Sequence, residues 1–424
     1  MRKSTAAICA AIAAMAITSA SACSRTEEIP RNATVLNSYL TNELSDTTAL
    51  AGLDRKVDAF MKEWQLKGVS LSVMRNDSLL YAKGYGWADE EKGEEMTPGT
   101  IMRVASVSKL ITAAGLMLLC DRNQLSLDEK VFGPEGILND EEFTAAIKDT
   151  NYFNITVEHL LRHQGGFVVG SRGDPMFSTP VVMRLNDLKE APDHNTLVRT
   201  QLRYRLNFKP GTSASYSNFG YLLLSMIIER KTGEDYEKWM QKNLLEPAGC
   251  YDMHLAHNYY REKRKNETRY PVQVDEPLVE EYNHSGDSVV RCYGGNDIHA
   301  LAGAGAWVAS SAELARFVAS IDGRPEVPDV LSESSIGRMT EYINDKTYAL
   351  GWNECNERGE WIRTGTLSGT SAMIKYFPDG ECWIFISNTS TWKGPKLARY
   401  TAELFNKCRS KSSDLLPARD FFYE

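Results

Sequence analysis

The stretch Arg103-Val-Ala-Ser106-Val-Ser-Lys109-Leu-Ile-Thr-Ala-Ala-Gly-Leu-Met-Leu-Leu-Cys120 is the one around which the rest of the chain is read. A polar entry runs into an apolar segment in which Leu110, Ala113, Ala114, Met117 and Leu118 recur at helical spacing. The spacing predicts a buried helix, with Ser106 and Lys109 at its mouth, three residues apart on one face. A serine hydroxyl is inert at its ordinary pKa and needs a neighbouring base. A lysine half-buried beside an apolar helix loses part of its preference for charge, so it can accept a proton. Backbone N–H groups at the helix start favour negative charge developing there. Taken alone, the same residues also fit a serine that caps a buried helix beside a surface cation, because Ser-x-x-Lys is a weak pattern.

Upstream of this stretch, residues 24–50 are polar and are expected to form a tether. Leu53, Val57, Phe60, Met61 and Trp64 mark an amphipathic helix. Val69, Leu71 and Val73 alternate with Ser70 and Ser72, which predicts a strand, and Asn76-Asp77 turns the chain into a second strand, Leu79 to Trp87. Downstream, from 121 to 295, the pattern becomes helices and long polar loops. Val157-Glu-His-Leu-Leu-Arg-His163-Gln-Gly-Gly-Phe167 predicts a short helix ending at a glycine pair, with His163 holding the turn. Residues 168–200 are irregular. A Pro210-Gly211 loop then leads to an apolar run after Asn218, so Tyr216 and Asn218 sit at the lip of a buried helix. A further helix is expected from Glu234 to about Leu244.

Past 300, Ser310-Ser-Ala-Glu313 has the form of a capping box. Strands are expected over Tyr348–Trp352, Trp361–Thr364, Thr370–Phe377 and, after Pro378-Asp-Gly, Cys382–Ser387. A last helix carries Leu397, Tyr400, Leu404 and Phe405. These elements predict an α/β (α+β) fold: an antiparallel sheet completed by both ends of the chain and flanked by helices. The expected division is 51–120 with 296–424 as the α/β part, and 121–295 as an inserted, mostly helical part.

The formal net charge is −8, and no long basic run interrupts the 424 residues, which excludes nucleic acid as an expected partner. Residues 1–22 have the form of an export signal: Arg2 and Lys3, an Ala/Ile-rich run, then small residues. Ala20-Ser21-Ala22-Cys23 fits either a lipidated Cys23 or simple cleavage after Ala22, so the expected location is periplasm or outer membrane. Membrane contact is expected only through a lipid on Cys23. Beyond it, Cys120, Cys250, Cys292, Cys355, Cys382 and Cys408 form no C-x-x-C pair, so no metal site is expected, while one or two disulfides remain open. Asn266-Glu-Thr268 fits a glycosylation triplet by chance.

Three motifs stand in order: Ser106-x-x-Lys109, Tyr216-x-Asn218 and Arg363-Thr364-Gly365-Thr366. Together with the segments 157–167, 208–236, 307–317 and 348–352, the chain resembles the serine β-lactamase and penicillin-recognising enzyme family, in its class C and esterase-like branch. The resemblance covers roughly residues 50–405. It implies a β-lactamase/transpeptidase-like fold, no cofactor, and an acyl-enzyme on Ser106, with Lys109 and Tyr216 sharing the base and acid work. It implies that Asn218 donates to the substrate's acyl amide or to Lys109. The N–H groups of Ser106 and Thr366 would form an oxyanion hole, and Gly365 would let substrate approach the backbone.

Arg363 stands where the family usually has Lys or His, and a guanidinium binds carboxylates in a planar fork. The expectation is therefore recognition of an acidic group on the substrate. The function expected is an exported serine hydrolase or acyltransferase acting on an ester or amide, from a small-molecule or peptidoglycan-derived acyl substrate. Acyl transfer to a hydroxyl-bearing small molecule, D-alanyl-D-alanine carboxypeptidase or β-lactamase activity, and a penicillin-binding sensor without turnover are the alternatives.

Overall fold

Alternation along the strands builds the central sheet. In the computed structural model, which describes residues 35–169, 174–272 and 276–423, seven strands form it. They are β1 (Gly68–Arg75), β2 (Ser78–Asp89), β3 (Glu94–Glu95), β4 (Glu354–Cys355), β5 (Trp361–Leu367), β6 (Thr370–Tyr376) and β7 (Glu381–Ser387). Their order is β3-β2-β1-β7-β6-β5-β4, antiparallel throughout. The β1–β7 pairing, with Leu71 opposite Phe385, joins the two ends of the chain into one sheet. Asn76 (φ 46°) and Asp77 (φ 59°) make the β1–β2 turn, both left-handed as a tight hairpin requires.

The helices that matter here are α1 (Ala51–Trp64), α2 (Ser108–Asp121), α3 (Asn218–Thr232), α4 (Ile298–Gly305), α5 (Ser311–Ala319) and α6 (Leu397–Ser412). Val69, Leu71 and Val73 pack with Trp383 and Phe385 under α1 and α6. Ser70 and Ser72 point to the other face and are buried too, each hydroxyl 2.7 Å from that of Ser311 on α5. The sheet is thus covered on both sides. On the α5 side one apolar core runs from Ile374 and Ile384 through α2 and α3 to Phe132 and Leu160, and residues 34–424 form one compact unit.

Four expectations are corrected. Residues 35–50 are not a tether: Leu36, Leu40 and Leu50 are buried, and the Asn37 amide donates to Asp252 and Glu313, both at 3.0 Å. Tyr348–Trp352 is no strand. Gly351 takes φ +87° where the chain crosses α2 so closely that a Cβ would lie 2.7 Å from that of Ala113. The edge strand is instead the two-residue β4. The helix after Glu234 is shorter, Tyr236–Met240, and continues as a π-turn through Leu245. All six cysteines among the described residues are free thiols. The export segment, Cys23 and the start of the tether lie outside the described residues.

Candidate active site

The candidate nucleophile, Ser106, is held on a strained turn. Ala105, Ser106 and Val107 form a single 3-10 turn leading into α2, and Ala105 has φ +48°, a conformation a Cβ disfavours. Its surroundings impose it. The buried Arg103 guanidinium donates to the carbonyls of Cys292 and His257, both at 2.7 Å, and the Val104 N–H to the Trp307 carbonyl at 3.0 Å. From the other side β5 lies directly on the turn. A Cβ at Gly365 would stand 2.2 Å from the Val104 oxygen and 2.9 Å from the Ser106 nitrogen. Gly365 is therefore needed for strand-to-turn contact, which corrects the expectation that it admits substrate.

Lys109 is fully buried in the first turn of α2. Its Nζ donates to Ser106 Oγ at 3.2 Å, Asn218 Oδ1 at 2.8 Å and the Ala304 carbonyl at 2.6 Å. The last acceptor exists because α4 breaks at Ala302 (φ 28°, ψ −115°), which turns the Gly303 carbonyl to Thr112 and the Ala304 carbonyl to Lys109. Three acceptors suit the three protons of an ammonium. Its pKa is brought down to about 8: burial lowers it most, the Tyr216 phenol opposes, and the Arg363 guanidinium adds to the lowering.

Tyr216 donates to Ser106 Oγ at 2.7 Å. Burial pushes its phenol up, but the Lys109 ammonium and then the Arg363 guanidinium outweigh burial and bring it down to about 8. His163 secures the loop that carries it. At φ +57°, its carbonyl accepts from the Ser215 N–H at 2.9 Å, its Nδ1 from the Ser217 N–H at 3.1 Å, and its ring lies 4.5 Å from that of Tyr216. Burial holds its pKa well below the ordinary value, so it is a neutral support. Ser217, not Asn218, caps α3, accepting from the Gly220 N–H at 3.0 Å. Asn218 is then left to bridge Lys109 and Asp174, donating to Asp174 Oδ2 at 2.7 Å. No motif singled out Asp174, which lies in the irregular stretch. Burial raises its carboxyl despite bonds from Asn218 and the Met176 N–H.

Arg363 corrects the strongest expectation. It is completely buried, and its donors are turned inward: Nε to the Ser106 carbonyl at 2.7 Å, Nη2 to the same carbonyl and to Tyr216 Oη at 3.3 Å. Nη1 is buried with no partner. Strand parity explains this: residues 363 and 365 face inward, while Thr364 and Thr366 face the cleft. On that outer edge Asn353 Oδ1 accepts from the Thr364 N–H at 2.7 Å, and the Thr366 N–H, two residues on, points to the same side. The cleft holds about 300 Å³ and is lined by Ser106, Tyr216, Asn218, Asn353, Thr364 and Thr366, with Leu301, Leu367 and Pro395 among its apolar walls. Neither lysine nor arginine is among its described lining residues. Among the described residues no cluster of His, Cys, Asp or Glu is arranged to hold a metal ion.

An alcohol bonded to a phenol, with an ammonium one helical turn along, is the arrangement of a serine acyl-transfer site on a mixed α/β scaffold. Residues 53–404 match the Beta-lactamase family, and the chain belongs to it. Protein flp of Staphylococcus aureus (strain N315) is 23% identical over 356 residues, covering 82% of this chain and 65% of its own length, so this chain spans just under two thirds of that relative. Esterase EstB of Burkholderia gladioli is 30% identical over 217 residues, 49% of this chain and 52% of that protein. The octameric penicillin-binding protein homologue from Pyrococcus abyssi has the same fold, with a TM-score of 0.62 at 23% identity, covering 85% of this chain and 79% of its own.

Proposed function

We propose that this protein is an exported serine hydrolase that acylates Ser106 with the acyl group of an uncharged ester or amide. The observation that carries the reading is the placement of Ser106 Oγ 2.7 Å from Tyr216 Oη and 3.2 Å from Lys109 Nζ at the cleft wall. With Lys109 charged, the base is the Tyr216 phenolate. It takes the serine proton as the Oγ–acyl carbon bond forms, and returns it to the leaving atom as the old bond breaks. Water then attacks the acyl-enzyme by the reverse proton path. The N–H groups of Ser106 and Thr366 are the donors to the oxyanion, a contribution of about 3–4 kcal/mol per donor. The described lining residues of the cleft, none of them lysine, arginine, aspartate or glutamate, support a neutral substrate in place of the acidic one expected. Export is supported by residues 1–22, with Cys23 as the candidate lipid anchor.

The test is intact-protein mass after exposure to an activated neutral ester, for wild type and Ser106→Ala. The expected result is a transient adduct on wild type and none on the variant. A lasting adduct would replace turnover with a sensor role, and no adduct would refute the reading.

A further inference from the structure

Beside the catalytic cleft lies a second, larger cavity of about 670 Å³. Half of its described lining residues are apolar, with Phe167, Val169, Val182, Leu185 and Phe219 prominent, the other half are polar or tyrosine, and neither lysine nor arginine is among them. Its rim exposes aliphatic side chains to water, Val169 by 54% and Leu185 by 51%, and Val168 and Val181 beside them are exposed as well. Apolar groups gathered at one opening mark a ligand site more often than a bare surface. The single acidic group among the described lining residues, Asp174, has its carboxylate engaged by Asn218 and the Met176 N–H.

Among the described residues, Tyr216 alone lines both cavities. That shared wall decides which half of the substrate lies where. In the proposed mechanism Tyr216 hands its proton to the leaving atom, so the half that meets Tyr216 is the departing half. The acyl half, drawn to the Ser106 and Thr366 N–H groups, is left with the smaller cleft between Leu301, Leu367 and Pro395. We infer that the larger cavity holds an uncharged, apolar leaving group, and that the substrate is an ester or amide joining a short acyl group to a long apolar alcohol or amine. The inference rests on the proposed function and names its substrate class.

Two ester series on the full-length protein test it: acetates of alcohols from methanol to hexanol, and methyl esters of acids from acetic to hexanoic, each followed by acid release. Burying one methylene multiplies binding by about fourfold. The acetate series should therefore climb at least roughly tenfold in kcat/KM if only part of the chain is held, while the methyl ester series stays flat or falls. Leu185→Asp, at an exposed rim position, should bring the hexyl-to-methyl acetate ratio towards one; Val169→Asp is the second variant of the same kind. A flat acetate series, or a climb in the methyl ester series instead, overturns the inference while leaving the Ser106 reading intact. Turnover of the esters that Ser106→Ala does not abolish would overturn the reading beneath it, and the inference with it.

Discussion

The buried guanidinium behind the phenol gives the sharpest quantitative test. Arg363→Met removes the charge while keeping an unbranched side chain; Arg363→Lys keeps a charge but loses the two-nitrogen hold on the Ser106 carbonyl. Tyr216 stands at about 8, with burial pushing up and Lys109 and then Arg363 pulling down. Removing the smaller of two favourable charges should raise it by about one unit, or roughly 1.4 kcal/mol. At pH 7 the ionised fraction of the phenol would drop from about 9% to about 1%, so kcat/KM should fall roughly tenfold.

The sign follows from the base being needed ionised: activity rises with pH through the apparent pKa of the Lys109–Tyr216 pair, and the variant's curve is displaced to higher pH. At pH 10 most of the deficit should vanish. Arg363→Lys should keep the wild-type limb and lose activity evenly across pH through a looser nucleophile turn. The assay is a pH profile of kcat/KM on a neutral ester, with circular dichroism to confirm folding. An unshifted limb in Arg363→Met, with an equal loss at pH 7 and pH 10, would refute the electrostatic role and leave Arg363 as a clamp alone.

Two further perturbations separate positioning from packing. Asp174→Asn frees the Asn218 amide to turn its nitrogen towards Lys109, and kcat should fall roughly tenfold with KM little changed, the low end for a hydrogen bond to a charged group; a KM effect alone would argue against this role. Gly365→Ala drives a Cβ to 2.2 Å from the Val104 oxygen, and should cost about 3 kcal/mol or more in denaturant unfolding together with most of the activity. A folded, fully active Gly365→Ala enzyme would show that the strand does not press on the nucleophile turn as described.

What the sequence announced and what it hid divide along physical lines. Ser106 and Lys109 were readable because one helical turn fixes their separation whatever surrounds them. Tyr216 was readable because an apolar run too uniform for a surface helix begins right after it, which puts the tyrosine at a buried edge. Asp174 carried no such signal: it sits in a polar, aperiodic stretch, and its part depends on a contact to Asn218 made only in the folded chain. Arg363 was found and misread. Alternation along β5 could have assigned it to the face opposite Thr364 and Thr366, but which face meets the cleft depends on how the strand packs on residues 104–107. Residues 35–50 were misjudged because their polar composition was given more weight than Leu36, Leu40 and Leu44, which recur every fourth residue; Leu36, Leu40 and Leu50 are buried in the core and Leu44 packs against it.

The positions of the two cations tie the chemistry to the substrate. Lys109 and Arg363 both lie behind Tyr216, buried and pointed at it or at the backbone of Ser106, rather than in front of it where a ligand would meet them. From there they lower the phenol through a poorly screened interior. Among the described lining residues they leave the cleft without positive charge, so in the proposed mechanism the arrangement that makes a strong base at this site works against an acidic substrate. A carboxylate entering the cleft would lose its hydration and find no cation among the described lining residues in return. In the proposed mechanism Arg363 therefore bears on both sides of the reaction: it keeps the proton transfer near neutral pH, and its inward turn favours the neutral esters and amides proposed as substrates.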